Sequence, residues 1–338
     1  KQADLSLLRI AATLAVVFLH TNNTLSNNST QFSLTEEQVI FFTTNNLLMN
    51  WAVPVFLMIS GTLLLDPSRQ ITFRICVNKY VKRILLALFI FGVPFSILEI
   101  VLNVKTINAE IVLEAIINVI NGNSWSHLWY LYSLIGLYLI LPILKAFVNN
   151  SDDNAVLYSV GVTFLFCFVV KWIDKISGMT IAFGLPITGF TVFYVLAGRY
   201  IYTKSHLLKK KKYFMILLAL EIVSIAIESI YHYPECKNLL SYDSPIIASL
   251  AITVFVLFIG LATTKVEFVW NIDRLCFGVY LIHPVFINFM YKFLKFTPAK
   301  FEGIYPVATF VFWMFFVSAS FIGSWIMYQV PVLKKYVL

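Results

Sequence analysis

The stretch LSLLRIAATLAVVFLHT, residues 5–21, is apolar enough to enter a membrane, yet it carries one arginine and one histidine. Arg9 and His20 are 11 residues apart, which is about three turns of an α-helix, so both lie on one face with roughly 16 Å between them. An ionisable group at membrane depth costs at least about 2.5 kcal/mol unless it faces protein or a water-filled interior. Two such groups on one face predict that this helix lines a cavity.

The composition predicts an integral membrane protein. The chain is 59% hydrophobic and 12% charged, with a mean hydropathy of +0.82, whereas soluble domains contain about 25% charged residues. The first segment shows no small-residue cleavage site and is followed by a polar run, so we expect it to remain as a helix. The net charge of +8 lies in connections where anionic lipid attracts it, and we predict no nucleic-acid partner.

Ten apolar segments approach the ~20 residues that cross a bilayer. They fall at residues 5–22, 41–65, 83–104, 127–148, 156–173, 183–202, 213–231, 246–264, 275–294 and 304–330. Pro186 and Gly189 interrupt the start of the sixth segment, and the stretch 107–120 is too polar to count as an eleventh. We therefore predict an all-α bundle of about ten transmembrane helices that forms a single domain over residues 1–338.

The positive charges of the connections predict the orientation. The connections at 66–83 and 199–212 are rich in Lys and Arg, including the run Lys209–Lys212. The connection at 23–40 has none, and those at 105–126 and 232–245 have one each, Lys105 and Lys237. Since such residues favour the cytoplasm, we predict cytoplasmic termini. As a separate expectation, we place the chain in a cell membrane, the bacterial inner or plasma membrane.

Sequence motifs of metal, disulfide and nucleotide sites are missing from the chain. The four cysteines, Cys76, Cys167, Cys236 and Cys276, show no CxxC pair and no metal-ligand spacing. The sequence also contains no GxxxxGK[ST] loop and no GxSxG elbow. We therefore predict no metal and no disulfide.

Two helices contain a proline within an apolar run. Pro54 and Gly61 in the second segment predict a kink and a close approach of another backbone. His283 precedes Pro284, where a helix is biased to break. A broken helix at membrane depth usually borders a cavity.

Other ionisable residues leave two interpretations open. A basic cluster lies at the start of the third predicted helix and consists of Arg74, Lys79, Lys82 and Arg83. These charges fit either an interfacial orientation signal or a site for a phosphate-rich cytosolic substrate. Glu99, Glu221 and Glu228 lie within predicted spans and serve either as structural partners or as part of a polar path.

Histidines and aromatic residues recur at the predicted outer ends of helices. His127 begins the fourth helix in SHLWYLY, close to Trp129 and Tyr132. Aromatic residues at this depth are ordinary interface residues. His127 is expected at about the membrane depth of His20.

Five stretches together resemble the acyltransferase 3 family of ten-helix membrane acyltransferases. They are Arg9 with His20, PVFLMISGTLL (54–64), the pair Lys82-Arg83, HLWYLYSLIGLYLILPIL (127–144) and FGVYLIHP (277–284). They follow the order of the family and span nearly the whole chain. The basic pair departs from the family, which often has two arginines there.

The resemblance implies transfer of an acyl group, usually acetyl, from cytosolic acyl-CoA to a hydroxyl of a cell-envelope carbohydrate or lipid-linked glycan. It implies His20 as the general base and Arg9 as its partner in the catalytic pair, with Arg9 also contacting the CoA phosphates. We expect Lys82, Arg83, Arg74 and Lys79 to bind acetyl-CoA, and His127, Trp129, Tyr132 and His283 to bind the acceptor. The expected partners are acyl-CoA, the glycan, membrane lipid and, in a homo-oligomer, further copies of the chain.

Two alternatives belong to other classes. The membrane half of vancomycin-resistance serine racemases resembles the same family, and a serine transporter would use Glu221, Glu228, Asn288 and the set Ser318, Ser320 and Ser324. A structural membrane scaffold explains the helices but not the placement of Arg9 and His20 on one face. Consumption of acyl-CoA compared with serine uptake separates enzyme from transporter.

Overall fold

A computed structural model of the chain describes residues 2–104, 108–178, 189–208, 210–230, 239–261 and 266–338. All regular structure within these ranges is helical. Lys105, Pro186, Lys209, Cys236 and Lys237 lie outside the described residues, and so does the side chain of Glu228.

The helices of the first part of the chain differ widely in length, from three to 24 residues. We label them α1 (Ala3–Ser26), α2 (Glu36–Leu48), α3 (Ala52–Leu64), α4 (Phe73–Ile75), α5 (Lys82–Val104), α6 (Ala109–Ile120), α7 (Trp129–Asn150), α8 (Asp153–Phe164) and α9 (Lys171–Ser177). Wider π-helical turns, Cys76–Val81 and Leu165–Val170, join α4 to α5 and α8 to α9.

The remaining described helices are α10 (Phe190–Thr203), α11 (Lys210–Ile230), α12 (Pro245–Phe258), α13 (Val266–Asp273), α14 (Cys276–Asn288), α15 (Tyr305–Gln329) and α16 (Pro331–Tyr336). A π-helical turn at Phe289–Phe293 extends α14.

Seven stretches of helix are long and apolar enough to cross a membrane, counted over the described ranges. They are Ala3–Ser26, Glu36–Leu64, Phe73–Leu102, Ser126–Asn150, Asp153–Ser177, Cys276–Lys300 and Tyr305–Gln329. Each corresponds to one of the ten predicted segments, so the prediction of a multi-pass helical protein is confirmed. The count of ten and the cytoplasmic termini stay predictions.

The other three predicted segments also contain helices. The helix α10 has 14 residues, α12 is an apolar helix of 14 residues and α11 has 21 residues. None of them is among the seven long apolar stretches.

Contacts between Cα atoms divide the chain into two compact units. Unit 1 contains Lys1–Asp66 and Ser151–Ser324, and unit 2 contains Pro67–Asn150 and Trp325–Leu338. In unit 1, α1 packs against α2, α3, α13 and α14, while α10 packs against α3 and α8. In unit 2, α5 packs against α6 and α7.

The second predicted segment, residues 41–65, is two helices rather than one kinked helix. The break lies at Met49–Trp51, and Pro54 occupies the first turn of α3. That place is favourable for proline, because the amide N–H groups of a first turn have no partner within the helix.

Gly61 brings two backbones into contact, as predicted. A Cβ atom added to Gly61 would lie 1.9 Å from the carbonyl oxygen of Val195 in α10, and one added to Gly198 would lie 2.2 Å from that of Met58. The hydroxyl of Thr62 donates a hydrogen bond to the Gly198 carbonyl at 3.0 Å. These contacts fix α3 against α10.

The predicted break at His283-Pro284 is wrong. The helix α14 continues through both residues to Asn288, and its irregularity is the π-helical turn at Phe289–Phe293. Both side chains are buried, so packing on either side holds the helix despite the hydrogen bond that proline removes.

Candidate active site

Two of the predicted histidines meet in unit 1. The rings of His20 on α1 and His283 on α14 have centroids 5.0 Å apart and planes tilted by 45°. His283 is fully buried, whereas His20 is half-buried. The structure therefore brings together a residue predicted as the base and one predicted to bind the acceptor.

A backbone hydrogen bond determines the tautomer of His283. Its Nδ1 lies 3.0 Å from the carbonyl oxygen of Val279. Because a carbonyl oxygen only accepts, Nδ1 carries the proton and donates it. In the neutral ring, Nε2 is then the nitrogen without a proton.

Arg9, on the same helix as His20, forms an ion pair that the sequence analysis did not foresee. Its Nη1 lies 2.5 Å from Oδ1 of Asp273 at the end of α13. The hydroxyl of Ser6 donates to the other carboxylate oxygen at 2.9 Å. Asp273 was visible in the sequence only as a lone acid just before the ninth apolar segment.

A row of four asparagines, which we call the amide seam, joins α1 to α2 beyond His20. Asn45 donates to the side-chain oxygen of Asn22, and Asn46 donates to that of Asn23, each at 3.3 Å. Asn22 is fully buried, and Asn46 has 6% of its surface exposed. Sequence reasoning missed the seam, although the pair at 45–46 stands in an apolar segment and the pair at 22–23 lies at the end of another.

The predicted cofactor-binding residues all lie in unit 2, at the entrance to α5. Arg74, Lys79 and Lys82 are exposed, while Arg83 is half-buried. Arg83 donates from Nε to the carbonyl of Val337 at 2.7 Å, so one of its donors is used by the backbone. A shallow groove of about 390 Å³ runs along this helix and is lined by Val77, Asn78, Val81, Lys82, Leu85, Leu86 and Phe89.

Of the predicted acceptor-binding residues in unit 2, His127 belongs to an aromatic cluster. His127 is buried against Phe95 and Trp125, whose rings stack with centroids 4.3 Å apart. The hydroxyl of Tyr132 donates to the Val119 carbonyl. Trp129 is half-buried and contacts the ring of Tyr130.

Residues of the transporter alternative are spread over three helices of unit 1. Glu221 on α11 and Asn288 on α14 are half-buried, and Ser318 on α15 is exposed. Ser320 is buried, while Ser324 donates to the Leu275 carbonyl at 2.8 Å. Glu221, Asn288 and the three serines therefore lie on three different helices, α11, α14 and α15.

Among the described residues, no group of three or more His, Cys, Asp or Glu side chains is arranged so that it could hold a metal ion. Cys76, Cys167 and Cys276 are buried, and no disulfide joins them.

Comparison with known proteins gives one match. A family model described as an acyltransferase domain matches residues 2–329. This match confirms the resemblance found in the motifs. No curated protein and no solved structure matches the chain.

Proposed function

Since the chain belongs to the acyltransferase domain family, we propose that it is a membrane O-acyltransferase. In this proposal an acyl group, acetyl in the simplest case, passes from cytosolic acyl-CoA to a hydroxyl of a cell-envelope carbohydrate or lipid-linked glycan. No metal takes part.

The observation that carries the proposal is the contact between His20 and His283. His20 is half-buried on a helix that carries Arg9 on the same face, and His283 lies beside it with its tautomer fixed. A histidine can exchange protons near neutral pH. Two neighbouring imidazoles on packed helices provide a place where a hydroxyl proton could be removed.

The proposed reaction balances with His20 as the only proton carrier. The imidazole takes the proton from the acceptor hydroxyl while its oxygen forms a bond to the thioester carbonyl carbon. The carbon–sulfur bond then breaks, and the CoA thiolate leaves with the electron pair. The imidazolium returns its proton to that sulfur, so the products are an ester and CoA thiol.

Acyl-CoA is proposed to bind through its phosphates to the basic cluster at the start of α5. Arg83 is anchored by its bond to Val337, which limits its freedom before a ligand arrives. Lys82, Lys79 and Arg74 are exposed and would add point charges or a bidentate contact. The pairing of Arg9 with Asp273 means that a phosphate must share this guanidinium with a carboxylate.

The decisive experiment replaces His20 by alanine in protein reconstituted into liposomes. We expect labelled acetyl-CoA consumption to fall about 100- to 10,000-fold, the usual value of general-base help, while acetyl-CoA binding stays. His206→Ala is the matched control, because His206 is exposed on the 3₁₀ turn after α10. If His20→Ala consumes acetyl-CoA at the wild-type rate, His20 is not the general base.

The same liposomes distinguish enzyme from transporter. We expect labelled acetyl-CoA to be consumed and labelled serine not to accumulate. Mass spectrometry of surface glycans from cells with and without the protein then identifies the acylated hydroxyl. Serine uptake without acetyl-CoA consumption would favour the transporter.

A further inference from the structure

Two buried polar groups on α2 have no hydrogen-bond partner among the described residues. They are the hydroxyl of Thr43 and the side-chain oxygen of Asn46. Only 2% of Thr43 and 6% of Asn46 is exposed. A buried polar atom without a partner costs free energy, and native structures rarely leave one without a reason.

The two groups are neighbours on the side of α2 that faces α1. Thr43 and Asn46 are three residues apart, which places them one above the other on a single helix face. Asn46 also donates to Asn23 of α1 at 3.3 Å, so this face is directed toward α1. Two acceptors without donors therefore lie at one place in the interface.

Asn46 reaches α1 at Asn23, three residues after His20. Asn23 lies one turn beyond His20, displaced by roughly 60° around the helix, and is half-buried like His20. The amide seam thus begins one turn beyond the candidate base on α1 and includes Asn46 of α2. Thr24, one turn beyond His20, is bonded to the His20 carbonyl at 2.8 Å, so its hydroxyl is already used by the helix.

The chemistry of this site fits a neutral ligand that has several hydroxyl groups. Residues 10–35 and 38–65 contain no Asp, Glu, Lys or Arg, so neither helix offers a charged side chain there. An amide oxygen accepts from a hydroxyl, and a threonine hydroxyl both donates and accepts. The adjacent hydroxyls of a sugar ring provide several such donors in one ligand.

We propose that Thr43, Asn46 and Asn23 form a carbohydrate subsite that holds the acceptor beside His20. This assignment rests on the proposed function and deepens it, since it names the residues that recognise the acceptor. The sugar hydroxyls donate to Asn46 Oδ1 and to Thr43, while Asn23, held by Asn46, borders the ring that is presented to His20.

A buried water molecule is the alternative occupant. Water could satisfy the same two groups, as it does for many buried polar atoms. In that case the groups are structural, and replacing Thr43 by valine lowers the unfolding temperature without affecting a sugar. If the groups instead form a carbohydrate subsite, Thr43→Val weakens sugar binding and leaves the unfolding temperature of the ligand-free protein unchanged.

The test uses the purified full chain and the methyl glycosides of glucose, galactose and N-acetylglucosamine as probes. A ligand that binds the folded state raises the unfolding temperature in a concentration-dependent way. We expect at least one glycoside to raise it in the wild type. Thr43→Val should weaken that glycoside about three- to tenfold, the effect of one neutral hydrogen bond, with no loss of unfolding temperature in its absence.

The matched control is Thr44→Val, since the Thr44 hydroxyl is bonded to the Ile40 carbonyl of its own helix at 2.9 Å. Asn46→Leu serves as a second variant with the same expectation for the glycoside. The inference is overturned if no glycoside raises the unfolding temperature, or if Thr43→Val and Asn46→Leu respond as Thr44→Val does.

Acetyl-CoA consumption separates this inference from the function on which it rests. If a glycoside binds through Thr43 but no acetyl group is transferred to any acceptor, the subsite stands and the proposed function fails. If acetyl transfer proceeds and Thr43→Val leaves the acceptor KM unchanged, the function stands and the subsite fails.

Discussion

The imidazole rings of His20 and His283 lie 5.0 Å apart, centroid to centroid, in the packing of α1 against α14. His283 reaches this position from a helix that continues through Pro284. Its Nδ1 is bound to the Val279 carbonyl, so the ring cannot rotate without losing that bond. In this pair, His283 is therefore oriented by a backbone hydrogen bond, whereas His20 remains partly exposed.

Two replacements of His283 separate its structural role from its chemical role. Asparagine places an amide N–H near the position of Nδ1, so His283→Asn should keep the Val279 bond and fold like the wild type. Both replacements remove the imidazole ring that contacts His20, so they leave the proposed base less firmly positioned. We expect kcat for acetyl transfer to fall about tenfold, corresponding to ~1.4 kcal/mol in the barrier, with the acetyl-CoA KM unchanged.

His283→Gln is the comparison, because its amide reaches toward the Nε2 position and gives up the Val279 bond. It should lose both unfolding temperature and turnover. If His283→Asn turns over at the wild-type rate, His283 serves packing alone.

The ion pair of Arg9 and Asp273 contributes to stability. The side chains are 27% and 10% exposed, which places the pair between exposed pairs, worth about 0–1 kcal/mol, and buried ones, whose breakage costs about 3–5 kcal/mol. We expect Asp273→Asn to lower the free energy of unfolding by about 1–3 kcal/mol in denaturant titrations. The double variant Arg9→Met with Asp273→Leu should restore part of the lost free energy of unfolding, because no charge is then left without a partner.

Asp153→Asn is the matched control for that measurement. Asp153 pairs with Lys204 near the surface, with 64% of the Asp153 side chain exposed. The variant should unfold at the wild-type denaturant concentration. If Asp153→Asn and Asp273→Asn lower the free energy of unfolding equally, the Arg9–Asp273 pair stabilises the fold no more than an exposed ion pair does.

Gly61 and Gly198 are predicted to be intolerant of alanine. A methyl group at either position would meet a backbone carbonyl at 1.9 Å or 2.2 Å, and backbone cannot move aside as a flexible side chain can. We expect each variant to lose about 1–3 kcal/mol or more of unfolding free energy. Gly161→Ala in α8 is the control, since the added methyl would have no described atom within 4 Å apart from its chain neighbours and the nearby backbone of its own helix. This variant should gain roughly 0.5–1 kcal/mol from helix propensity.

The pair of Lys175 and Asp243 predicts a pH dependence of stability outside the predicted spans. Burial alone would raise the pKa of Asp243, but hydrogen bonds from Ser241 and Lys175 and the Lys175 charge outweigh it, so the pKa lies below its ordinary value of 3.8. The stabilisation is therefore complete above about pH 4 and is lost as the pH falls through the lowered pKa.

The expected size of this effect is small, because the two side chains remain 31% and 22% exposed and solvent screens the pair. Asp243→Asn should cost at most about 1 kcal/mol at pH 7. The difference between variant and wild type should shrink toward pH 3 in thermal unfolding. A difference that is constant from pH 7 to pH 3 would contradict the assignment to the carboxylate.

Donor binding provides the last prediction. Lys82→Ala combined with Arg83→Ala should raise the acetyl-CoA Kd by about tenfold or more, since charged hydrogen bonds are worth about 1.5–3 kcal/mol each. Arg69→Ala is the control, because Arg69 is an exposed residue in the same basic connection. Unchanged acetyl-CoA affinity in the double variant would refute the phosphate site.

Local patterns in the sequence determined the class of this protein and its family. Apolar segments of membrane length need no knowledge of their neighbours, because hydrocarbon forces each to satisfy its backbone within a helix. Helix periodicity placed Arg9 and His20 on one face, and the small size of Gly61 within an apolar run predicted a close contact with another backbone. Seven of the predicted segments correspond to long apolar helices in the structure. The family match confirms the acyltransferase resemblance.

Only the tertiary structure decided which residues meet. The contact of His20 with His283 and the pairing of Arg9 with Asp273 join positions far apart in the chain. The amide seam joins two consecutive helices. The tertiary structure also decided that the helix breaks before Pro54 and continues through Pro284. The reason is that proline and polar groups respond to the packing around them, and that packing depends on the arrangement of all helices rather than on any one segment.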